Sequence, residues 1–229
     1  GELAHRFAAA VDDPAVPVVV TCAGRTRSIV GALGLRLAGV DQPVFALENG
    51  TQGWQLAGYA LEHGNAAQPF PELDAAAAAA ARARAEALLS RLGIDIAGPE
   101  DVAAWLAQSG RTTYLFDLRT PAEIAVDPAP AFTPALSGQL VQSTDLWVGV
   151  RHARLVLLDD LGLRGAIEDF WLRQLGLQVA VARLDDSLRA FPAAAPEVAL
   201  PQVPRVSAAE ALAGLRAGRA CLFDLRGSR

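Results

Sequence analysis

The chain has 229 residues, 52% of them hydrophobic, and a formal net charge of −5 at neutral pH. That length admits one or two domains with a sizeable core, and the acidic balance argues against a general nucleic-acid binder. Its two cysteines, Cys22 and Cys221, make no disulfide framework and fit a reducing, cytoplasmic compartment. No apolar run reaches membrane-spanning length and no signal peptide is evident. All 20 basic residues are arginine, read here as genome composition, and the opening Gly-Glu-Leu without Met reads as a processed or cut piece.

In chain order, Glu2 to Val11 is expected as a short helix with Leu3, Phe7, Ala8 and Val11 on one face. His5, within it, reads as a surface residue. Pro17 opens a β-branched run, Val18 to Thr21, expected as a buried strand. Cys22-Ala23-Gly24-Arg25-Thr26-Arg27 follows as a tight loop, and Ser28 to Ala38 carries helical spacing up to Gly39. Backbone N–H groups curled at a helix start make an anion-binding nest. With Arg25 and Arg27 nearby, that nest favours a thiolate, so Cys22 is expected to titrate below a free cysteine and to act as a nucleophile.

Val44 to Leu47 reads as a second strand, Asn49-Gly50 as a turn, and Trp54 to Leu56 as a segment packing back on the core. Asp74 suits an N-cap before the alanine run from Ala75, and Gly93 suits its end. Leu88, Leu89 and Leu92 suggest that this helical connector docks. Asp101 to Gln108 is expected as a helix and Thr113 to Arg119 as a strand. An internal repeat then appears. Gly138-Gln139-Leu140 aligns with Gly1-Glu2-Leu3 at an offset of 137, which places Arg164 on Arg27, Arg173 on Arg36, Gly176 on Gly39 and Asp159 on Cys22. Trp147 and His152 read as packing or surface residues. Ser187 to Pro204 holds four prolines and reads as an extended linker. Ser207 and Glu210 form a capping box, and Ala220 to Arg226 repeats the Phe-Asp-Leu-Arg of the earlier strand. Cys221 is expected buried and inert there.

The run Cys-Ala-Gly-Arg-Thr-Arg-Ser, with Asn49-Gly50-Thr51-Gln52-Gly53-Trp54, resembles the second half of a rhodanese domain. Phe116-Asp117-Leu118-Arg119-Thr120-Pro121-Ala122-Glu123 resembles the first half. The resemblance implies an α/β protein of rhodanese-like units in tandem, with short parallel sheets flanked by helices. It divides the chain into 1–66 (the second half of a unit, with Cys22), 67–98 (a helical linker), 99–186 (a whole unit with Asp159 at the cysteine position), 187–204 (a Pro-rich linker) and 205–229 (the start of a third unit).

The resemblance further implies a sulfurtransferase. Cys22 would carry a persulfide, the loop residues Ala23, Gly24, Arg25, Thr26 and Arg27 would hold substrate, and the partners would be a small-molecule sulfur donor and acceptor. Arg25 would attract the anionic donor, and Arg27 would brace the loop. Related phosphatases space the arginine one residue further, as Cys-x5-Arg, and here that position is Ser28. No cofactor, metal, nucleic acid or membrane is expected, since no His/Cys cluster has ligand spacing; self-association is left open. The half-sheet at the start of the chain would expose an edge, which pairing of Cys221 to Arg226 with Val18 to Thr21 would close. A non-catalytic tandem scaffold and a phosphatase-like hydrolase are the alternatives.

Overall fold

The computed structural model describes residues 1–11, 13–24, 26–66, 68–192 and 203–223. It divides into two compact units, 1–194 and 195–229. The first unit opens with two single-turn helices, α1 (Glu2–His5) and α2 (Phe7–Ala10). Then come strand β1 (Val18–Val20), helix α3 (Thr26–Leu37), strand β2 (Val44–Ala46) and helix α4 (Gly50–Leu56). The expected single helix over 2–11 is broken at Arg6, where φ −100° and ψ 7° leave the helical region. The break lets Ala4, His5 and Phe7 all bury while Leu3 stays exposed.

Helix α5 (Ala75–Leu92) starts at Asp74, whose carboxylate accepts the Ala77 N–H, and ends at Gly93 with φ +62°. It docks as expected, burying Ala77, Ala81, Ala85, Leu88 and Leu89. Beyond it lie α6 (Pro99–Leu106), β3 (Thr113–Asp117), α7 (Pro121–Val126), β4 (Thr133–Pro134), α8 (Gln139–Gln142) and α9 (Thr144–Trp147). The unit closes with β5 (Arg154–Asp159), α10 (Leu163–Gln174), β6 (Gln178–Arg183) and α11 (Asp186–Arg189). In the second unit α12 (Ala208–Arg216) begins with the capping box of Ser207 and Glu210.

Both sheets are parallel. One has the order β4-β3-β5-β6, and the other is the pair β1-β2. Every residue of β5 is buried. Leu155 and Leu157 pack on one face with Phe116, Leu140 and Leu172, while Val156 and Leu158 pack on the other with Val102, Phe132 and Leu188. That is how a parallel strand reads when helices cover both faces. Among the described residues the smaller sheet is covered on one face only. Val18 and Val20 turn to the core, but Val19 is 57% exposed, and its register partner Phe45 is 56% exposed. The expectation of a fully buried first strand therefore fails, because α3 packs on a single side of it.

The offset of 137 reappears in the coordinates. Helices α1, α2 and α3 start and end 137 residues before α8, α9 and α10, so residues 2–5, 7–10 and 26–37 match 139–142, 144–147 and 163–174. A single core joins the copies, holding Ala4 and Phe7, Leu35 of α3, Leu88 of α5, and Leu163 and Ile167 of α10.

Three further expectations need correction. His5 is fully buried, because the break at Arg6 turns it inward onto the loop after β5. Trp54 is 42% exposed and Leu56 almost fully so; the Trp54 ring tilts onto Tyr59 at 4.6 Å, and its Nε1 donates to the Ala60 carbonyl at 3.0 Å. Cys221 is exposed, and residues 220–223 form no strand, so nothing there buries the thiol. Asp224, Leu225 and Arg226, the rest of the expected closing strand, lie outside the described residues.

Candidate active site

Cys22 sits just past the C-terminal end of β1, partly exposed, with Thr26 opening α3 four residues later. Its Sγ lies 3.6 Å from Ser28 Oγ. Burial pushes its thiol pKa up, but hydrogen bonds from the Ser28 hydroxyl and N–H and from the Gly24 N–H oppose this. With the charge of Arg27 added, the net shift is below the ordinary thiol value. Arg27 is exposed, as are Ala23 and Thr26, and Gly24 is half-buried. Arg25 lies outside the described residues.

The loop is held from behind by α4. Thr51 N–H donates to the Cys22 carbonyl at 2.8 Å, and Gln52 N–H donates to the Ala23 carbonyl at 3.1 Å. These are N–H groups that the first turn of a helix leaves without intrahelical partners. With its carbonyls drawn toward α4, the loop is free to aim N–H groups at the sulfur. Asn49 (φ 56°) and Gly50 (φ +58°) make the left-handed turn that brings α4 this close. A Cβ on Gly50 would overlap the carbonyl oxygens of Cys22 and Gly24.

The sequence reading grouped residues 22–27 but missed Ser28 as a partner of the sulfur and Gly50 and Thr51 as the brace. The Asn-Gly pair was visible as a turn. Its closeness to Cys22 depends on the β1-β2 register, which no local pattern encodes.

The matching loop after β5 answers its missing cysteine differently. Asp159, fully buried, accepts the N–H groups of Arg164 at 2.8 Å and Gly165 at 3.3 Å through Oδ2. Its Oδ1 takes the Asp160 N–H at 2.9 Å and Arg164 Nη1 at 3.0 Å. The carboxylate thus fills the cradle of its own loop. Burial alone would raise its pKa, yet the Arg164 guanidinium holds it well below the carboxylate range.

Arg164, buried, also binds Asp160, Glu2 and Glu123, at 3.0, 2.7 and 2.9 Å. A ligand atom each from His5, Glu123 and Asp160 lies within 4.8 Å of the others, so a cation could be considered there. Arg164 and Arg6 already take up Glu123, however, and Arg164 takes up Asp160, so the cluster is an ion-pair network. Burial and the nearby Arg164 charge lower the His5 pKa to about 4. In front of this loop, Asp117 holds Arg119 through both carboxylate oxygens, at 2.9 and 2.6 Å.

A parallel strand ending in a loop that wraps one side chain with N–H groups, seen twice in one α/β body, defines a rhodanese-type fold. A solved structure agrees. The crystal structure of a thiosulfate sulfurtransferase from Pseudomonas aeruginosa is 41% identical, with a TM-score of 0.77, over 94% of this chain and 41% of that one. The chain belongs to the rhodanese-like sulfurtransferase family. It spans well under half the length of that relative. The 3-mercaptopyruvate sulfotransferase SseA from Escherichia coli, titled as a rhodanese fold, also matches, at 20% identity over 77% of this chain and 70% of that one. Its TM-score is 0.29. No protein-family model and no curated protein matches the chain. Among the described residues no helix is long and apolar enough to cross a membrane.

Proposed function

We propose that this chain moves a sulfane sulfur from a small donor to a nucleophilic acceptor through a persulfide on Cys22. The observation that carries the reading is the cradle around Cys22: a sulfur within reach of Ser28 and of loop N–H groups whose carbonyls are tied back to α4. The 41% identity to a protein titled thiosulfate sulfurtransferase supports it and suggests thiosulfate as donor.

In the first step the Cys22 thiolate attacks the outer sulfur of thiosulfate. The S–S bond of the donor breaks, its electron pair leaves with sulfite, and Cys22 holds a persulfide anion. That anion sits where the N–H groups, Ser28 and Arg27 oppose its charge. In the second step cyanide or a thiolate attacks the terminal sulfur, and the Cys22 thiolate is released. Every bond change is a two-electron displacement, so no outside oxidant or reductant is required. Arg25 is assigned the attraction of the anionic donor, and Ala23, Gly24, Thr26 and Arg27 the lining of its site.

We further assign 1–66 to the second half of an active unit, 67–98 to a connector, and 99–186 to a whole unit without a nucleophile. Residues 187–204 are assigned as a linker, although its first residues still belong to α11 and pack on the unit through Leu188 and Phe191, and 205–229 begin a third unit; a cytoplasmic setting fits the two unpaired thiols. A scaffold reading draws on one observation, that Asp159 fills its own cradle, and applies to the second unit. The test is intact mass after incubation with thiosulfate. The chain should gain one sulfur, removable by a reductant, and Cys22→Ser should gain none. No gain in a folded sample would overturn the transferase reading in favour of a scaffold.

A further inference from the structure

Among the described residues the buried arginines are Arg6, Arg119, Arg154 and Arg164. Arg6 holds the carboxylate of Glu2, Arg119 that of Asp117, and Arg164 that of Asp159. Arg154, at the start of β5 and 6% exposed, holds no carboxylate among the described residues. It donates from Nε and Nη1 to the side-chain oxygens of Gln178 and Gln108, at 3.3 and 3.1 Å. Its guanidinium lies 4.8 Å from the centre of the Trp105 ring. Those partners are neutral, so they solvate the charge without cancelling it, and burial, followed by the charge of Arg111, lowers its pKa. Arg111 donates to the same Gln178 oxygen and, among the described residues, has no acid either. Positive charge that is partly buried and uncompensated costs free energy until an anion approaches.

Beside these two arginines lies a cavity of about 280 Å³, between the loop before β3 and the loop before β5. The Arg154 N–H ties the loops together by donating to the Thr112 carbonyl at 2.9 Å. The polar residues of its wall are Ser109, Arg111, Thr112, Arg151 and His152, all exposed, and no wall residue is acidic. The side chains of Arg151 and His152 have no ion pair or hydrogen bond among the described residues. In a chain of net charge −5, donors and positive charge converge here with nothing of the opposite sign in the wall.

We propose that this cavity binds a small tetrahedral oxyanion, a phosphate or sulfate group, between Arg111 and Arg151. Guanidinium forks present paired N–H donors that match the oxygens of such a group, and the hydroxyls of Ser109 and Thr112 add donors from the same loop. Arg154 stands behind the wall and contributes charge without touching the ligand. The volume is at the lower end for small-molecule pockets, which suits an oxyanion with its waters better than a large cofactor. The cavity lies at the end of β5 away from Asp159, about 17 Å along the strand. It does not depend on the chemistry assigned to Cys22.

Inorganic phosphate and, separately, sulfate are titrated calorimetrically into the whole chain at low ionic strength, with circular dichroism to check folding. Saturable binding is expected, and the tighter of the two ions identifies the group. Arg111→Ala and Arg151→Ala should each weaken it at least tenfold. Arg151→Lys, which keeps the charge and loses the fork, should recover part of that loss. Arg151 is bonded to no described side chain, so its replacement leaves the fold intact. Arg82→Ala, on the exposed side of α5, should leave the affinity unchanged, as should Arg27→Ala beside Cys22. No saturable binding of either ion overturns the proposal. Equal weakening in Arg82→Ala and Arg151→Ala also overturns it, since the attraction would then be unspecific. Full affinity in Arg151→Ala with loss in Arg27→Ala overturns it too, by putting the anion at the Cys22 loop.

Discussion

At Cys22 the balance is between burial, which disfavours the thiolate, and donors that favour it. Against burial, the largest effect, Ser28 supplies both a hydroxyl and an N–H, and so leads the groups that favour the thiolate. Ser28→Ala removes the hydroxyl and should raise the pH midpoint of Cys22 alkylation, because the charged form loses a partner while the neutral form loses little. The measurement is the rate of iodoacetamide modification against pH in a Cys221→Ser background, since Cys221 is exposed and would also react. A midpoint that stays in place would remove Ser28 from the site. Arg27 acts through charge alone, so Arg27→Ala should also raise the midpoint, and added salt should shrink that effect.

The brace formed by α4 turns a local sequence signal into an active loop. Gly50 has φ +58°, and no other residue can bring its backbone so near the Cys22 and Gly24 carbonyls. Gly50→Ala should therefore displace the loop and slow persulfide formation by about 10²-fold, the usual penalty for misplacing reacting groups by an ångström. Stopped-flow thiosulfate consumption would read this, with melting temperature as the control for gross unfolding.

Much of the element plan was visible in the sequence. Asp74 and Gly93 mark both ends of α5, Ser207 and Glu210 mark the start of α12, and the offset of 137 recurs in helix boundaries. What was not visible depended on contacts between distant residues. His5 is buried because α1 lies against the loop after β5, and Val19 is exposed because one sheet face is left uncovered. Helical spacing over 2–11 could not reveal the break at Arg6. That residue leaves the helix and reaches Glu123, 117 positions away, at 2.7 Å.

Across the first unit the two copies are joined by apolar packing and by a chain of charges. Glu123 binds Arg6 from the first copy and Arg164 from the second. Burial raises its pKa, but the Arg164 charge and the Thr120 donors outweigh this and bring it from 4.5 to about 2. The folded pKa lies below the unfolded one, so this stabilisation is complete above pH 4.5 and fades as pH falls toward 2. Glu123→Gln should cost about 2–3 kcal/mol at pH 7, less than a fully buried pair because Glu123 is partly exposed. That is a drop of roughly 5–10 °C in melting temperature for a chain of this size. The gap between native and variant should close progressively in melts below pH 4.5. A gap of constant size down to pH 2.5 would show that the charge of Glu123 contributes nothing.

Asp159 can also be regarded as a ligand tethered to its own receptor. A covalently attached anion is present at an effective concentration of about millimolar or higher, and here four hydrogen bonds and a buried arginine hold it in place. Free thiosulfate, sulfate or phosphate would have to displace an occupant that cannot diffuse away. Of the two cradles built to the same plan, one is permanently saturated and the other stays answerable to whatever anions the surroundings supply.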